Sequence, residues 1–126
     1  MDATGQPILL VEDDPFLRRA CEASLRRRGF TVLAAGDGEA ALRLIRARRP
    51  ALVLLDLLMP KMTGVELLRA LRQEEATRDV RVLVLSNSSN ERDVDEVMRL
   101  GATGYLVKAN LSLQELGAHV ARLLAD

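Results

Sequence analysis

Short apolar runs alternate with longer stretches of helical spacing along this chain. The runs cover residues 8–11, 31–34, 52–55, 80–85 and 104–107, and we interpret them as strands. In the stretches between and after them, apolar residues recur every three or four positions, as on one face of an α-helix. Strands that alternate with helices form a parallel sheet whose two faces are covered by helices. The pattern therefore predicts an α/β fold with five strands.

Three of the helical stripes are well defined. Their members are Leu17, Ala20, Cys21, Ser24 and Leu25 in the first, Val94, Val97, Met98 and Gly101 in the second, and Leu113, Leu116, Val120, Leu123 and Leu124 in the third. We interpret these stripes as core-facing surfaces rather than as parts of a cofactor site. Stop signals for helices occur at Gly29, Pro50, residues 77–79 and Gly101. Ser112, followed three residues later by Glu115, predicts a capping box that opens the last helix.

Composition limits the classes of function that are open to the chain. With 126 residues and 48% apolar residues, residues 1–126 are expected to form a single domain without an additional output domain. Eighteen basic and eighteen acidic residues cancel, so no overall charge attracts the protein to nucleic acid or to an anionic membrane. With no Trp, one Tyr and two Phe, the chain has no aromatic platform on which bases could stack. Direct nucleic-acid binding is therefore not expected.

Cysteine content and the N-terminal residues indicate the compartment. Cys21 is the single cysteine, which excludes an intramolecular disulfide, and we interpret it as a small buried apolar residue. The polar start MDATGQP is followed by an apolar run of only four residues, which is too short for a signal sequence or a membrane span. A cytoplasmic protein is expected.

Residues that can carry chemistry follow four of the predicted strands. Glu12, Asp13 and Asp14 follow the first strand, Asp56 the third, Ser86 the fourth and Lys108 the fifth. Taken singly, Asp14 could cap a helix, Ser86 could bond its own backbone and Lys108 could be a surface charge. The carboxyl ends of parallel strands, however, meet at one edge of the sheet, where ligands bind. The occurrence of such residues at the ends of four strands therefore favours one common site.

The clustered carboxylates favour a hard divalent cation. Crowded carboxylates repel one another, and an ion such as Mg²⁺ relieves this repulsion while taking oxygen ligands. A phosphoryl group that entered the site would need positive charge and donors on its other side, which Lys108 and Ser86 could supply. Sixteen of the eighteen basic residues are Arg, and only Lys61 and Lys108 are Lys. A compact ammonium suits a narrow phosphoryl site better than a wide guanidinium does.

With these residues the sequence resembles the receiver domain of bacterial two-component response regulators. The motifs that carry the resemblance are ILLVEDDP (8–15), LLDLLMPKMTG (54–64), VLVLSNSS (82–89) and GATGYLVK (101–108), and together they cover nearly the whole chain. The resemblance implies an α/β fold with a five-stranded parallel sheet, doubly wound in the flavodoxin-like order 2-1-3-4-5, and five helices.

The resemblance also implies a phosphoacceptor and a magnesium site. Asp56 would take a phosphoryl group from a phosphohistidine and form an aspartyl phosphate. Asp13 and Asp56 would bind Mg²⁺ directly, and the backbone oxygen of Leu58 would be a further ligand. Glu12 would bind the ion through a water molecule. Magnesium is the one cofactor that the resemblance implies.

Further residues are implied to bind the phosphoryl group and to switch the surface. Ser86, Lys108 and the backbone of Asn87 would bind phosphoryl oxygens. Tyr105 would turn inward as Ser86 moves, and this change would alter the surface of the fourth helix, fifth strand and fifth helix. The chain would then be a signalling domain, not an enzyme, that assists its own phosphorylation.

The implied partners are proteins. The phosphoryl group would come from a histidine kinase or a histidine phosphotransfer protein, and the signal would pass to a downstream protein that the sequence does not identify. Direct contact with nucleic acid or with a membrane is not expected. The oligomeric state, monomer or phosphorylation-dependent dimer, stays open.

Three departures from the family pattern bear on the chemistry. Ala109 follows Lys108 where the family usually has a cis proline, and since a cis bond to a non-proline residue costs roughly 3 kcal/mol, we predict a trans peptide. Asn87 is larger than the usual residue and is expected to narrow access to the phosphoryl group. Leu58, two residues after Asp56, is apolar and cannot orient an attacking water, which predicts slow self-dephosphorylation.

Three other functions would share part of this pattern with a phosphoacceptor receiver domain. A phosphohydrolase of the haloacid dehalogenase type would have a second Asp two residues after the nucleophile, where this chain has Leu58. A receiver that acts only as a binding module would be expected to have lost an acid, the phosphoacceptor or the lysine, and none is lost. A flavodoxin-like cofactor protein would need aromatic residues around the flavin and a phosphate-binding loop, which the chain lacks.

Overall fold

The computed structural model describes residues 6–57, 59, 61–87 and 91–125. Within these ranges the strands are Ile8–Val11 (β1), Val32–Ala35 (β2), Leu52–Asp56 (β3), Val82–Ser86 (β4) and Gly104–Val107 (β5). The α-helices are Pro15–Arg27 (α1), Gly38–Arg48 (α2), Gly64–Gln73 (α3), Glu91–Arg99 (α4) and Leu113–Ala125 (α5), and a short 3₁₀ helix covers Lys108–Asn110. No helix in the described part of the chain is long and apolar enough to cross a membrane.

All neighbouring strands pair in parallel, in the order β2-β1-β3-β4-β5. This confirms the predicted fold class and strand order. The topology changes direction at β1, because the chain moves from β1 to one side to form β2 and then to the other side to form β3. Clefts at the carboxyl ends of such strands are the usual ligand sites of open α/β sheets.

Strand boundaries differ from the sequence prediction in β2, β3 and β4, and β2 is shifted by one residue to Val32–Ala35. The predicted strand over 80–85 begins only at Val82, because Val80 belongs to the preceding turn, where its N–H donates to Thr77 O at 3.2 Å. The third and fourth strands each extend by one polar residue, Asp56 and Ser86, beyond the apolar run. Backbone pairing with the neighbouring strand continues through both residues, so hydrophobicity alone ends these strands too early.

Each face of the sheet packs against its own helices. On one face, side chains such as Leu9, Val53 and Val84 form a core with α2, α3 and α4. On the other, side chains such as Leu10 and Leu54 form a core with α1 and α5. The alternation along each strand explains why the strands are apolar throughout: both faces are buried, as predicted.

The α4 stripe is only partly buried, which corrects the interpretation of all its members as core. Val97 is fully buried and Val94 is half-buried, but Met98 is 46% exposed and Gly101 is also exposed. One buried valine and one half-buried valine are enough to seat this helix of nine residues. Met98 lies one position beyond Val97, which turns it about 100° away from the sheet.

Local signals start and stop the helices as the sequence predicts. Asp14 is the N-cap of α1, where its Oδ1 accepts a hydrogen bond from the N–H of Phe16 at 2.9 Å. The predicted capping box before α5 is present, since Glu115 N donates to Ser112 Oγ at 3.0 Å and Ser112 N donates to Glu115 Oε1 at 3.0 Å. Gly29 ends α1 in a left-handed conformation with φ of 97°.

Candidate functional site

The carboxyl edge of the sheet brings the predicted acids and the predicted lysine into one pocket. Asp56, at the end of β3, faces the same pocket as Glu12 and Asp13 after β1 and as Lys108 after β5. Asp14, Leu17 and Asn87 complete the lining. Glu12 and Asp56 are buried, at 4% and 6% exposure, whereas Asp13 is exposed to solvent. Two carboxylates are thus withdrawn from water, whereas Asp13 and Asp14 remain accessible.

Three carboxylates form a group that could hold a metal ion. One oxygen from each of Glu12, Asp13 and Asp56 lies within 4.8 Å of the others. Carboxylate oxygens are the ligands that Mg²⁺ prefers, and the exposure of Asp13 leaves a path for the ion and its waters. This donor set fits magnesium. The predicted further ligand, Leu58, lies outside the described residues.

Lys108 is the cation that neutralises this pocket from the protein side. Its Nζ lies 2.5 Å from Glu12 Oε1 and 3.2 Å from Asp56 Oδ2, and its side chain is only 14% exposed. Burial by itself lowers the pKa of Lys108, but the hydrogen bond that Lys108 donates to Glu12 and the negative charges of Asp56 and Glu12 outweigh it and raise the pKa above its ordinary value. Lys108 is therefore a protonated, partly buried partner of the acids and not a surface charge.

Glu12 is held in place by the first turns of α1. Its Oε2 accepts a hydrogen bond from Asp14 N at 3.1 Å, and its backbone oxygen accepts one from Arg18 Nη1 at 2.8 Å. Arg18 was not among the site residues predicted from the sequence. A basic residue in the second turn of a helix that begins directly after an acid pair was the available signal, since this position can reach back to the strand end.

Ser86 and Tyr105 lie on the same face of the sheet. Ser86 is fully buried at the end of β4. Tyr105 on β5 is in register with Val84, two residues before Ser86, and packs against the core formed with α2, α3 and α4. Val84 and Ser86 share a face of the sheet because they are two residues apart in one strand. Tyr105, in register with Val84, therefore lies on the same face as Ser86.

The peptide bond between Lys108 and Ala109, directly after β5, is trans, as predicted. No peptide bond among the described residues is cis, and these include Lys108 and Ala109. The chain instead turns through the 3₁₀ helix Lys108–Asn110, closed by the N–H of Leu111 donating to Lys108 O at 3.1 Å. Lysine thus reaches the acids without the proline that the family usually has.

Cys21 on α1 is buried, as expected for a small apolar residue. It lines a small cavity between α1 and α5 that Glu12 and Lys108 also line. Burial, assisted by the negative charge of Glu12 and opposed by Lys108, raises the pKa of the Cys21 thiol to about 11. Cys21 is therefore a neutral thiol at physiological pH and not a reactive thiolate.

Comparisons with known proteins identify the family to which this fold belongs. Residues 8–121 match the family described as response regulator receiver domain. The transcriptional activator protein PfeR of Pseudomonas aeruginosa is 43% identical over 117 residues, which are 93% of this chain and 37% of PfeR. The DNA-binding response regulator MtrA of Mycolicibacterium smegmatis is 39% identical over 108 residues, 86% of this chain and 46% of MtrA. The chain thus spans less than half the length of these two relatives.

Solved structures resemble the chain over almost its whole length. The chemotaxis protein CheY4 of Vibrio cholerae has a TM-score of 0.85 and 29% identity, covering 93% of this chain and 97% of that one. The receiver domain of the Francisella response regulator 1452 has a TM-score of 0.86 and 26% identity, covering 96% of this chain and 98% of that one. The chain belongs to the response regulator receiver domain family of two-component signalling.

Proposed function

We propose that this domain accepts a phosphoryl group on Asp56 in a Mg²⁺-dependent reaction. The observation that carries the proposal is the position of the Asp56 carboxylate, 3.2 Å from Lys108 Nζ and in one cluster with Glu12 and Asp13. A buried carboxylate that belongs to an acid cluster able to hold a metal ion, and that also contacts an ammonium group, matches the needs of phosphoryl transfer, in which positive charge must surround the transferred group. The donor is a phosphohistidine of a histidine kinase or a histidine phosphotransfer protein.

The reaction divides its roles among the residues of the pocket. A carboxylate oxygen of Asp56 attacks phosphorus, the bond between phosphorus and the histidine nitrogen breaks, and the electron pair remains on the imidazole. Lys108 stabilises the negative charge on one phosphoryl oxygen, and Ser86 and the backbone of Asn87 donate to the others. Since Lys108 is already within 3.2 Å of Asp56, little reorganisation is required of it.

Glu12, Asp13 and Asp56 are the residues that would hold the magnesium ion. When bound, Mg²⁺ supplies positive charge that offsets the repulsion between the incoming phosphoryl group and the acids. Asp13 is the accessible ligand, Glu12 is oriented by Asp14 N and Arg18, and Asp56 joins the metal site to the phosphoryl site. Arg18 is thereby a positioning residue for the acid pair.

The phosphorylated state is read out on the surface of α4, β5 and α5. Ser86 and Tyr105 are placed on one face of the sheet, so a shift of Ser86 toward the phosphoryl group makes room for Tyr105 to turn inward. The two side chains then act as a local switch of this surface. Its downstream target is a protein that contacts α4, β5 or α5.

We further propose that the aspartyl phosphate is long-lived. Hydrolysis needs a water molecule oriented for attack on phosphorus. The apolar Leu58 offers no hydrogen bond to such a water, and Asn87 narrows the opening of the pocket that it lines. Loss of the phosphoryl group within seconds after removal of the donor would contradict this.

Intact mass spectrometry tests the phosphoacceptor directly. The protein is incubated with Mg²⁺ and a small acyl phosphate, which can phosphorylate without a partner protein. We expect the wild type to gain the mass of one phosphoryl group and Asp56→Asn to gain none, because the amide is not a nucleophile of comparable strength.

Asp79→Asn is the matched control. Asp79 is exposed and lies before β4, at the edge of the sheet opposite the pocket, so the same chemical change should leave labelling unaltered. An unlabelled wild type, or equal labelling of Asp56→Asn, would refute the proposed function.

A further inference from the structure

The segment between β3 and α3 packs on the first turn of α2 at a glycine. Gly38 is the first residue of α2 and is buried. A Cβ atom added there would lie 2.7 Å from Met62 Cβ and 2.8 Å from Met62 O. Atoms in real side chains do not approach so closely, and one of the two opposing atoms belongs to the backbone. Only glycine lets the two segments meet at this distance.

A second glycine joins the same segment to the backbone of the phosphoacceptor. Gly64 is the first residue of α3, and its N–H donates to Leu57 O at 2.9 Å. A Cβ atom at Gly64 would lie 2.6 Å from Asp56 O and 2.7 Å from Leu57 Cα. The start of α3 therefore lies directly against the peptide unit that carries the Asp56 side chain.

An ion pair and a helix cap support the contact with α2. Lys61 adopts φ of 69°, a left-handed conformation that disfavours residues other than glycine. Its Nζ lies 3.7 Å from Asp37 Oδ2, while Asp37 Oδ1 accepts the hydrogen bond from Ala40 N that caps α2. The N-terminus of α2 thus contacts the segment through Asp37 as well as through Gly38.

We propose that Gly38 is a positioning residue for phosphorylation of Asp56, although it lies on α2 and is not among the residues that line the pocket. Gly38 packs directly against Met62, which precedes Gly64 by two residues. Gly64 in turn packs against the backbone of Asp56, so the position of Met62 affects the position of Asp56. The inference rests on the proposed function, which supplies the reaction that the position of Asp56 controls.

The close contact at Gly38 reverses the usual effect of replacing glycine by alanine in a helix. In a helix, Ala is intrinsically more favourable than Gly, so Gly38→Ala would be harmless or stabilising in an open first turn. Here the added methyl group pushes on Met62 Cβ and on a carbonyl oxygen, neither of which can swing away like the end of a long side chain. Met62 must move, and the start of α3 moves with it.

Gly117→Ala is a matched control, because Gly117 is also a buried helical glycine. The atoms that its Cβ would meet belong to the flexible side chain of Arg28, which joins the end of α1 to α5 away from the pocket. Both variants therefore add one methyl group to a tightly packed helix. They differ in what the methyl group displaces: backbone next to the site, or a side chain remote from it.

The test compares the labelling rate of Asp56 at saturating Mg²⁺ for wild type, Gly38→Ala and Gly117→Ala, with a small acyl phosphate as donor and with folding verified by circular dichroism. We expect Gly117→Ala to label like the wild type and Gly38→Ala to label roughly 10-fold or more slowly, since small misplacements of reacting groups cost large factors in rate. The Mg²⁺ dissociation constant, measured by calorimetry, should also rise in Gly38→Ala.

The outcomes separate this inference from the proposed function. A folded Gly38→Ala that labels and binds Mg²⁺ like the wild type would overturn the positioning role, because a merely structural glycine changes only stability. If Gly38→Ala does not fold, the double variant Gly38→Ala/Met62→Gly is compared with Met62→Gly alone. Met62→Gly removes the Met62 side chain, so in the double variant the new methyl group meets only the carbonyl oxygen of residue 62. A slower double variant supports the inference, and equal rates refute it. A wild type without label refutes the proposed function itself.

Discussion

At the level of single residues, Lys108 explains how buried acids are tolerated at the end of an apolar strand. Glu12 and Asp56 are almost fully withdrawn from water, and an unpaired buried carboxylate is strongly unfavourable. The ammonium group of Lys108 contacts both of them. A bound magnesium ion would take over part of this role, so the lysine and the metal stabilise the same charges.

Replacing Lys108 should therefore have a cost that depends on magnesium. In metal-free buffer, we expect Lys108→Met to lower the free energy of unfolding by about 3 kcal/mol, because it leaves two buried carboxylates without their cation. Saturating Mg²⁺ should make this loss smaller. Urea unfolding with and without Mg²⁺ measures both values.

The only other lysine provides the control for that experiment. Lys61 is largely exposed and lies 3.7 Å from Asp37, so Lys61→Met should change the free energy of unfolding by less than about 1 kcal/mol and independently of Mg²⁺. If Lys108→Met lowered the free energy of unfolding by an equally small amount, or by an amount that Mg²⁺ does not change, Lys108 would not be the cation that stabilises Glu12 and Asp56.

At the level of elements, the start of α3 is set by a capping box that the sequence analysis did not identify. Thr63 Oγ1 accepts from Glu66 N at 3.2 Å, and Thr63 N donates to Glu66 Oε1 at 2.9 Å. These backbone and side-chain hydrogen bonds with Thr63 lower the pKa of the Glu66 carboxyl. The cap is needed here because α3 must begin directly against the backbone of Asp56.

Loss of this cap should destabilise the protein, and a conservative change should not. We expect Thr63→Ala to lower the free energy of unfolding by about 1 kcal/mol, while Thr63→Ser, which retains the hydroxyl, stays near the wild type. Chemical denaturation of the three proteins measures the difference. If Thr63→Ser were destabilised as much as Thr63→Ala, the hydroxyl cap would not be the cause.

At the level of the whole molecule, the buried Cys21 and the partly buried Lys108 should make stability depend on pH on the alkaline side. The pKa of Cys21 rises from 9.0 to about 11 in the folded protein, and the pKa of Lys108 is also raised. Both groups therefore keep their protons in the folded state at pH values at which they lose them in the unfolded state. The stabilisation is complete below the unfolded pKa values and is lost as the pH rises through the folded ones.

The free energy of unfolding should accordingly fall between about pH 9 and pH 11, with each fully linked group contributing at most about 1.4 kcal/mol per pH unit. We expect Cys21→Ala to remove the thiol's part of this slope, whatever its effect on stability at pH 7. Urea unfolding over this pH range gives the slope for each protein. An identical slope in both would show that the thiol is not linked to folding.

Most of the fold and many of the site residues could be predicted from the sequence, because their signals are local or periodic. Alternating apolar runs indicate buried parallel strands, and the residues that end these strands meet at one edge in any such sheet. The acid pair, Asp56 and Lys108 were found in this way, and the motifs around them indicated the family. The assignment of Asp14 as a helix cap likewise needed only its neighbours along the chain.

Only the tertiary structure decided how distant segments meet. It placed Arg18 against the backbone of Glu12, and it brought Gly38 onto Met62 and Gly64 onto Asp56. It also left Met98 in solvent although its spacing matches a core position. Spacing along the chain gives the direction of a side chain but not the distance to another element. Those distances arise when both faces of the sheet are packed at once, and they place the Asp56 carboxylate.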